Sequence, residues 1–427
     1  MNINHEERWI AVRNQINSLG GNGNAIVEAL QDYYTVFEDR MLVWIGGLYD
    51  PDLGGFYFSE SSRDNEVIHH NGNTYPLLPD IESTDQATNI LLRNEVFKSG
   101  MDFPLTMRKS MEQFICEKQD PDNGFFYHPQ WPKSLTDSKE SRRGRDLQWA
   151  ISMSEKFEFK LPYLTPYERL GKKNESETEA STLPDYLLSP KSFLAYLKNF
   201  DWENEVYYSG NTISAQGNLI NSAGLGKVAI DFLNSIQNPK TGLWGKIENG
   251  FEAINGYLKL SSFYKKQGYP IPNVDKAFPI AFDCATEPVE NTSTVAYQFN
   301  VWFSISNIID NMRYFGGVEG QRIANEAIRY QFNNCIKAIQ STKEKAIRFK
   351  KSNASYSYAP HKTSGTSQGM PVAILGTNEG DINASVLCSS GTARCLFEAM
   401  QIADNWIPIF SEKGQDVFMS SLKLSAK

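Results

Sequence analysis

Apolar residues fall at three- and four-residue spacing along much of the chain, the period of a helix that buries one face. In residues 25–44 this places Ile26, Leu30, Tyr33, Tyr34 and Phe37 on one side, and residues 107–117 and 226–236 repeat the pattern. Further helices are predicted over 85–97, 190–199, 251–267, 294–313, 320–341 and 384–404. Residues 160–185 are polar and interrupted by proline, and read as a surface loop or insertion near mid-chain that need not divide domains.

Three of these helices run into the same turn, Asp/Asn-Pro-x-x-Gly-x-aromatic. It occurs as Asp50-Pro51-Asp52-Leu53-Gly54-Gly55-Phe56, Asp120-Pro121-Asp122-Asn123-Gly124-Phe125-Phe126 and Asn238-Pro239-Lys240-Thr241-Gly242-Leu243-Trp244. Asp or Asn starts the turn with its side chain, Pro presets φ near −65°, and Gly takes a positive φ at the exit. The aromatic then anchors the turn. Starts 70 and 118 residues apart fit one and two helical hairpins of roughly 60 residues each, a period of stacked or ringed helix pairs. The expectation is an all-α protein forming one large domain over residues 1–427, with roughly five or six hairpins.

Composition narrows the partners. Of 427 residues, 41% are hydrophobic and 12% aromatic, enough for a sizeable core. A net charge of −8 with no basic stripe argues against nucleic acid. The N-terminal run MNINHEERWIAVRNQ carries charge where a signal peptide has its apolar stretch, and no segment holds about eighteen consecutive apolar residues, so no transmembrane span and a cytoplasmic location are expected. Five scattered cysteines, Cys116, Cys284, Cys335, Cys388 and Cys395, suit a reducing compartment.

Gln119 with Gly124 and Phe126, and Gln237 with Gly242 and Trp244, resemble the Gln-x-x-x-x-Gly-x-Trp repeats of the terpenoid cyclase and protein prenyltransferase superfamily. The segment QNPKTGLWG is also similar to turns in six-hairpin glycoside hydrolases such as unsaturated glucuronyl hydrolases. Both resemblances imply an α/α toroid over most of the chain, with a working site in its central cavity. They imply different chemistry.

The segment Pro79-Asp80-Ile81-Glu82-Ser83-Thr84-Asp85 opens a predicted helix and resembles the Asp-x-Asp-Asp-Thr acid motif of class II terpene cyclases, whose middle acid protonates an alkene. Asp80, Glu82 and Thr84 match in kind; Glu82 replaces the middle Asp, and Ser83 replaces the carboxylate beside it. The same residues also read as an ordinary N-cap with acids at the positive helix end. The zinc site that the prenyltransferase resemblance would bring is incomplete: Asp283 and Cys284 are adjacent, and Ala384 stands where the His would fall. No metal and no cofactor are expected.

A second polar constellation lies in the C-terminal third: Tyr356, Tyr358 and His361, then Glu379 and Asp381. Tyr, His and paired carboxylates on loops suit general acid–base work on a sugar, although Asp381 equally suits a helix cap. Arg63, near His69 and His70, is the candidate partner for an acidic sugar, and His128, Trp131 and Trp244 follow two of the repeated turns as candidate substrate contacts. Phosphate-loop, nucleophile-elbow and paired-His protease motifs are absent. Three readings follow: an enzyme acting on an isoprenoid-like substrate with Glu82 as acid and Asp80 as its partner; a hydrolase or lyase acting on an oligosaccharide through Asp80, Glu82, Glu379 and Asp381; and a non-catalytic toroid that binds a ligand.

Overall fold

The computed structural model describes residues 5–172 and 184–422. Helices make up 61% of it, and the strands are short, so the all-α class holds. The polar run 173–183 within the expected mid-chain loop lies outside the described residues; the flank before it forms a short helix, Pro166–Lys172. No described helix is long and apolar enough to cross a membrane.

Contacts group the chain into two compact units. One comprises Met1–Phe37, Asp185–Arg348 and Leu387–Ile409; the other comprises Glu38–Pro184, Phe349–Val386 and Phe410–Lys427. In the first, the helices Val206–Ala215, Gly250–Gln267, Ala296–Phe315 and Thr392–Ala399 pack each on the next. Ala296–Phe315 buries Val301, Ile305, Ile308 and Met312, but also Asn300, Ser304, Asn307 and Asn311 at three- and four-residue spacing. The amide nitrogens of Asn300, Asn307 and Asn311 donate to Asn255, to Ser261 and Ser262, and to the Tyr269 carbonyl. A buried polar row of this kind fixes the register of the two helices, because a slip leaves donors unpaired.

Several expected helices have different ends. Residues 25–44 form two helices, Gly23–Tyr34 and Arg40–Gly47; at the break Thr35 turns its hydroxyl back onto the Asp32 carbonyl. Residues 384–404 are interrupted by a π-helical stretch, Leu387–Gly391, in which Ser389 leaves helical geometry. The helix expected over 320–341 runs much further, Gly317–Phe349. Glu140–Lys156 and Val274–Ala285 are two further helices: the first buries Arg142 and Asp146 among its apolar residues, and the second buries Val274, Ala277, Phe278, Ala281 and Phe282 with Pro279 inside it.

The three repeated turns share one geometry. The first-residue carbonyl accepts from the glycine N–H at 2.8, 2.9 and 2.8 Å (Asp50–Gly54, Asp120–Gly124, Asn238–Gly242). Phe56, Phe126 and Trp244 are all buried. Gln119 and Gln237 each donate to their own turn's glycine carbonyl and to a later segment, at Tyr163 and Pro272. The glycines have φ of 76°, 77° and 70°, and a Cβ would lie 2.2, 2.2 and 2.3 Å from the carbonyl oxygens of Ser110, Leu164 and Asn273. Glycine therefore does two things here: it adopts the left-handed backbone and lets another chain segment approach.

Gly124→Ala is expected to cost about 3 kcal/mol, measured by urea denaturation. A variant within 0.5 kcal/mol of the parent, roughly the range for inert surface changes, would show that the turn does not anchor the segment at Leu164.

Candidate active site

The site lies within the unit that contains residues 38–184 and is built where two helices begin. Asp80 caps Ile81–Arg93 in extended backbone, accepting from the Ser83 N–H at 3.0 Å and the Ser83 hydroxyl at 2.8 Å. Thr84 ties this start to the first repeated turn, its hydroxyl accepting from the Phe56 N–H and donating to the Asp80 carbonyl. Glu82 is thereby fixed in the first helical turn, where the helix dipole favours an anion. The N-cap role read for Asp80 is the geometry observed. Glu140–Lys156 packs against this helix and brings Arg142, Arg145 and Asp146.

Arg142 is the hub. It is 0% exposed and contacts three buried carboxylates: Asp80 Oδ1 at 2.8 Å, Glu82 Oε2 at 3.0 Å, and both oxygens of Asp146 at 2.9 Å through Nε. Its guanidinium lies 4.9 Å from the Trp131 ring centre. Burial works against its charge, but Asp146, Asp80 and Glu82 together hold it more firmly protonated than a free arginine. Asp146 is likewise opposed by burial, yet Arg142 keeps its carboxyl below the usual range.

Glu82 differs from Asp146. Burial pushes its carboxyl above the ordinary value, against the pull of Arg142 and Arg145. Oε2 accepts from Arg142 and from the Ser367 hydroxyl at 2.6 Å, whereas Oε1 has a long bond from Gln86 at 3.3 Å and Arg145 at 4.0 Å. One oxygen is fixed and the other is loosely held, an arrangement able to carry a transferable proton.

His128 and Trp131 extend the cluster. The His128 ring is buried, stands 4.8 Å from the Trp131 ring, and places Nε2 3.3 Å from Asp146 Oδ2. That contact is close enough for charge attraction but is not aligned as a hydrogen bond. Burial lowers the His128 pKa, so the ring is neutral near pH 7 and Arg142 is the partner that keeps Asp146 ionised. Lys118, over the Phe114 ring and donating to the Phe114 carbonyl, is pulled down to about 7 by burial despite the nearby Glu117, Asp80 and Asp146. Gln86 Oε1, Gln130 Oε1 and both His128 nitrogens are buried without a hydrogen-bond partner among the described residues.

Glu379 and Asp381 belong to another cluster of the same unit. Glu379 accepts from the Ser59 and Ser61 hydroxyls at 2.9 and 2.5 Å and from the Ser61 N–H at 2.8 Å. Asp381 accepts from the Thr363 hydroxyl and the Ala384 N–H, both at 2.7 Å, and from the Tyr358 N–H. Burial raises its carboxyl to about 6, helped by Glu379. Tyr356 is a core residue whose N–H donates to Ser385, and His361 is exposed. Arg63 pairs with Asp64 and the Gly47 carbonyl, and the arginines beside Glu82 are Arg142 and Arg145. Trp244 is in the core of the other unit, donating to the Leu233 carbonyl and packed on Tyr257 and Tyr264.

Asp80, Glu82, His128 and Trp131 are thus brought together. Arg142, Arg145 and Asp146 complete the site, and the sequence reading missed them. Their signal is the run Arg142-Arg143-Gly144-Arg145-Asp146, with Arg142 and Asp146 one helical turn apart. Among the described residues no group of three or more His, Cys, Asp or Glu side chains is arranged to hold a metal ion. The chain matches no family model, no curated protein and no solved structure.

Arg142→Met leaves three buried carboxylates without their cation, and a loss of about 3–5 kcal/mol is expected, larger at pH 7 than at pH 4, where the acids take up protons. Equal losses at both pH values would contradict the hub role. For Asp381, the folded chain holds the proton more tightly than the unfolded one, whose pKa is near 3.8. The residue therefore favours folding below pH 4, and this contribution disappears as pH rises to about 6. The stability difference between wild type and Asp381→Asn should shrink across that window in urea titrations; parallel curves would refute it.

Proposed function

We propose that the protein is a glycoside hydrolase in which Glu82 is the general acid, Arg142 holds it in place, and Arg145 receives a negatively charged or hydroxyl-rich part of the sugar. The observation that carries this reading is a set of buried polar atoms with no hydrogen-bond partner among the described residues: Gln86 Oε1, on the residue that bonds Glu82, Gln130 Oε1, on the residue that bonds the Pro79 carbonyl, and His128 Nδ1. Each such atom costs about 1–3 kcal/mol unless something pairs with it, and sugar hydroxyls both donate and accept. An isoprenoid-like hydrocarbon would leave all of them unpaired, so the isoprenoid reading of Glu82 is less well served by this lining.

The chemistry follows from the charges. A carboxyl raised by burial keeps its proton at a pH where a free glutamate has lost it, and can deliver it to the oxygen of a breaking glycosidic bond. Activity is expected to fall as pH rises through the Glu82 pKa. The test is a panel of neutral and acidic oligosaccharides, followed by release of reducing ends. Wild type should cleave a member of the panel, and Glu82→Gln should lose about 10²–10⁴-fold in kcat. Turnover of prenyl diphosphates or linear polyprenes, with no glycan cleaved, would replace this reading with the isoprenoid one.

A further inference from the structure

We infer that His128 is the base of this site, positioned by Asp146, and that it activates the water that attacks the sugar; the inference rests on the hydrolase reading of Glu82. Two contacts place the imidazole, and Arg142 holds the second of them. Trp131 fixes its plane from 4.8 Å, with the rings tilted 57°. Asp146 Oδ2 lies 3.3 Å from Nε2 and so favours the tautomer that carries its proton there. Asp146 is itself held by the Nε of Arg142, and Arg142 by Asp80 and Glu82. The result is one buried chain, Glu82–Arg142–Asp146–His128, with an acid at one end and an imidazole at the other.

The Nδ1 end sets this histidine apart from one that only fills space. Its side chain is fully enclosed, and Nδ1 has no hydrogen-bond partner among the described residues. A histidine buried for packing alone pairs its nitrogens with backbone or side chains, because an unpaired one is costly. Here the charge of Asp146, 3.3 Å from Nε2, favours the proton on that nitrogen, and the lone pair then falls on Nδ1. Burial also keeps the ring neutral, the form in which it accepts a proton.

Nδ1 takes a proton from water while the water oxygen bonds to the anomeric carbon. The bond from that carbon to the glycosidic oxygen breaks, its electron pair passes to the oxygen, and the oxygen takes the Glu82 proton. The imidazolium and the Glu82 carboxylate then exchange protons with solvent. Direct attack by water inverts the anomeric configuration.

The experiment uses the full chain and a glycoside that wild type cleaves, with proton NMR of the first-formed anomer. Inversion is expected. His128→Gln should lower kcat about 10²–10⁴-fold with little change in KM, both on that substrate and on its 2,4-dinitrophenyl glycoside. Glu82→Gln should retain the dinitrophenyl substrate, whose leaving group needs no acid. In wild type labelled with ¹⁵N-histidine, the His128 signals at pH 7 should show a proton on Nε2 and none on Nδ1, a measurement that needs no variant to fold. A retained anomer, a fully active His128→Gln, or a proton on Nδ1 would overturn the role of His128 while leaving Glu82 as acid. A wild type that cleaves no glycoside takes down the hydrolase reading itself, and this role with it.

Discussion

One guanidinium organises the candidate site. Arg142 meets three carboxylates that water does not reach, and burying any one of these groups alone would be prohibitive. The cluster is therefore all or nothing: cap, hub and helix start exist together. Asp80 has to cap its helix to face Arg142, and Glu140–Lys156 has to lie against that helix for Arg142 to reach it. The loop carrying His128 and Trp131 then closes over the guanidinium. The one acid with a loosely held oxygen is Glu82, and this asymmetry is the chemical property on which the functional proposal stands.

The repeated turns solve a different problem. In each, an aromatic side chain is buried, a glycine admits another segment's carbonyl, and in two of them a glutamine amide stitches the turn to that segment. The first turn places Phe56 on Thr84 and so connects the scaffold directly to the start of the helix that carries Glu82. Scaffold and site meet at a single hydroxyl, Thr84 Oγ1, which bonds in both directions.

Much of the scaffold is legible in the sequence, because its rules are local. The turn needs Pro, Gly and an aromatic at fixed offsets, and the Asp80 cap needs Ser83 three residues on; both are visible within one short window. The helices at 190–199, 226–236 and 251–267 carry their apolar stripe and form close to where it predicts. Glu140–Lys156 escapes that reading since the face it buries includes Arg142 and Asp146, so its inward side looks like a solvated one. No local rule pairs Arg142 with acids some sixty residues earlier. The break at 35–39 and the π-helical stretch at 387–391 leave no mark in the apolar period. Glu379 and Asp381, read from the sequence as loop carboxylates for acid–base work on a sugar, are buried and bind serine, threonine and backbone donors in a cluster apart from Arg142.

Each compact unit is sewn from three separate stretches of chain, and this governs how a ribosome can make the protein. Arg8 and Gln15 of the first helix donate to the carbonyls of Trp406 and Gln401, and Tyr34 to that of Ile407. At about 5–20 residues per second, these partners emerge roughly 20–80 s after the helix that needs them. During that interval Val12, Ile16 and Ile26, all fully buried at the end, wait with unfinished surroundings. The nascent chain thus exposes these side chains until the last stretches of each unit have emerged.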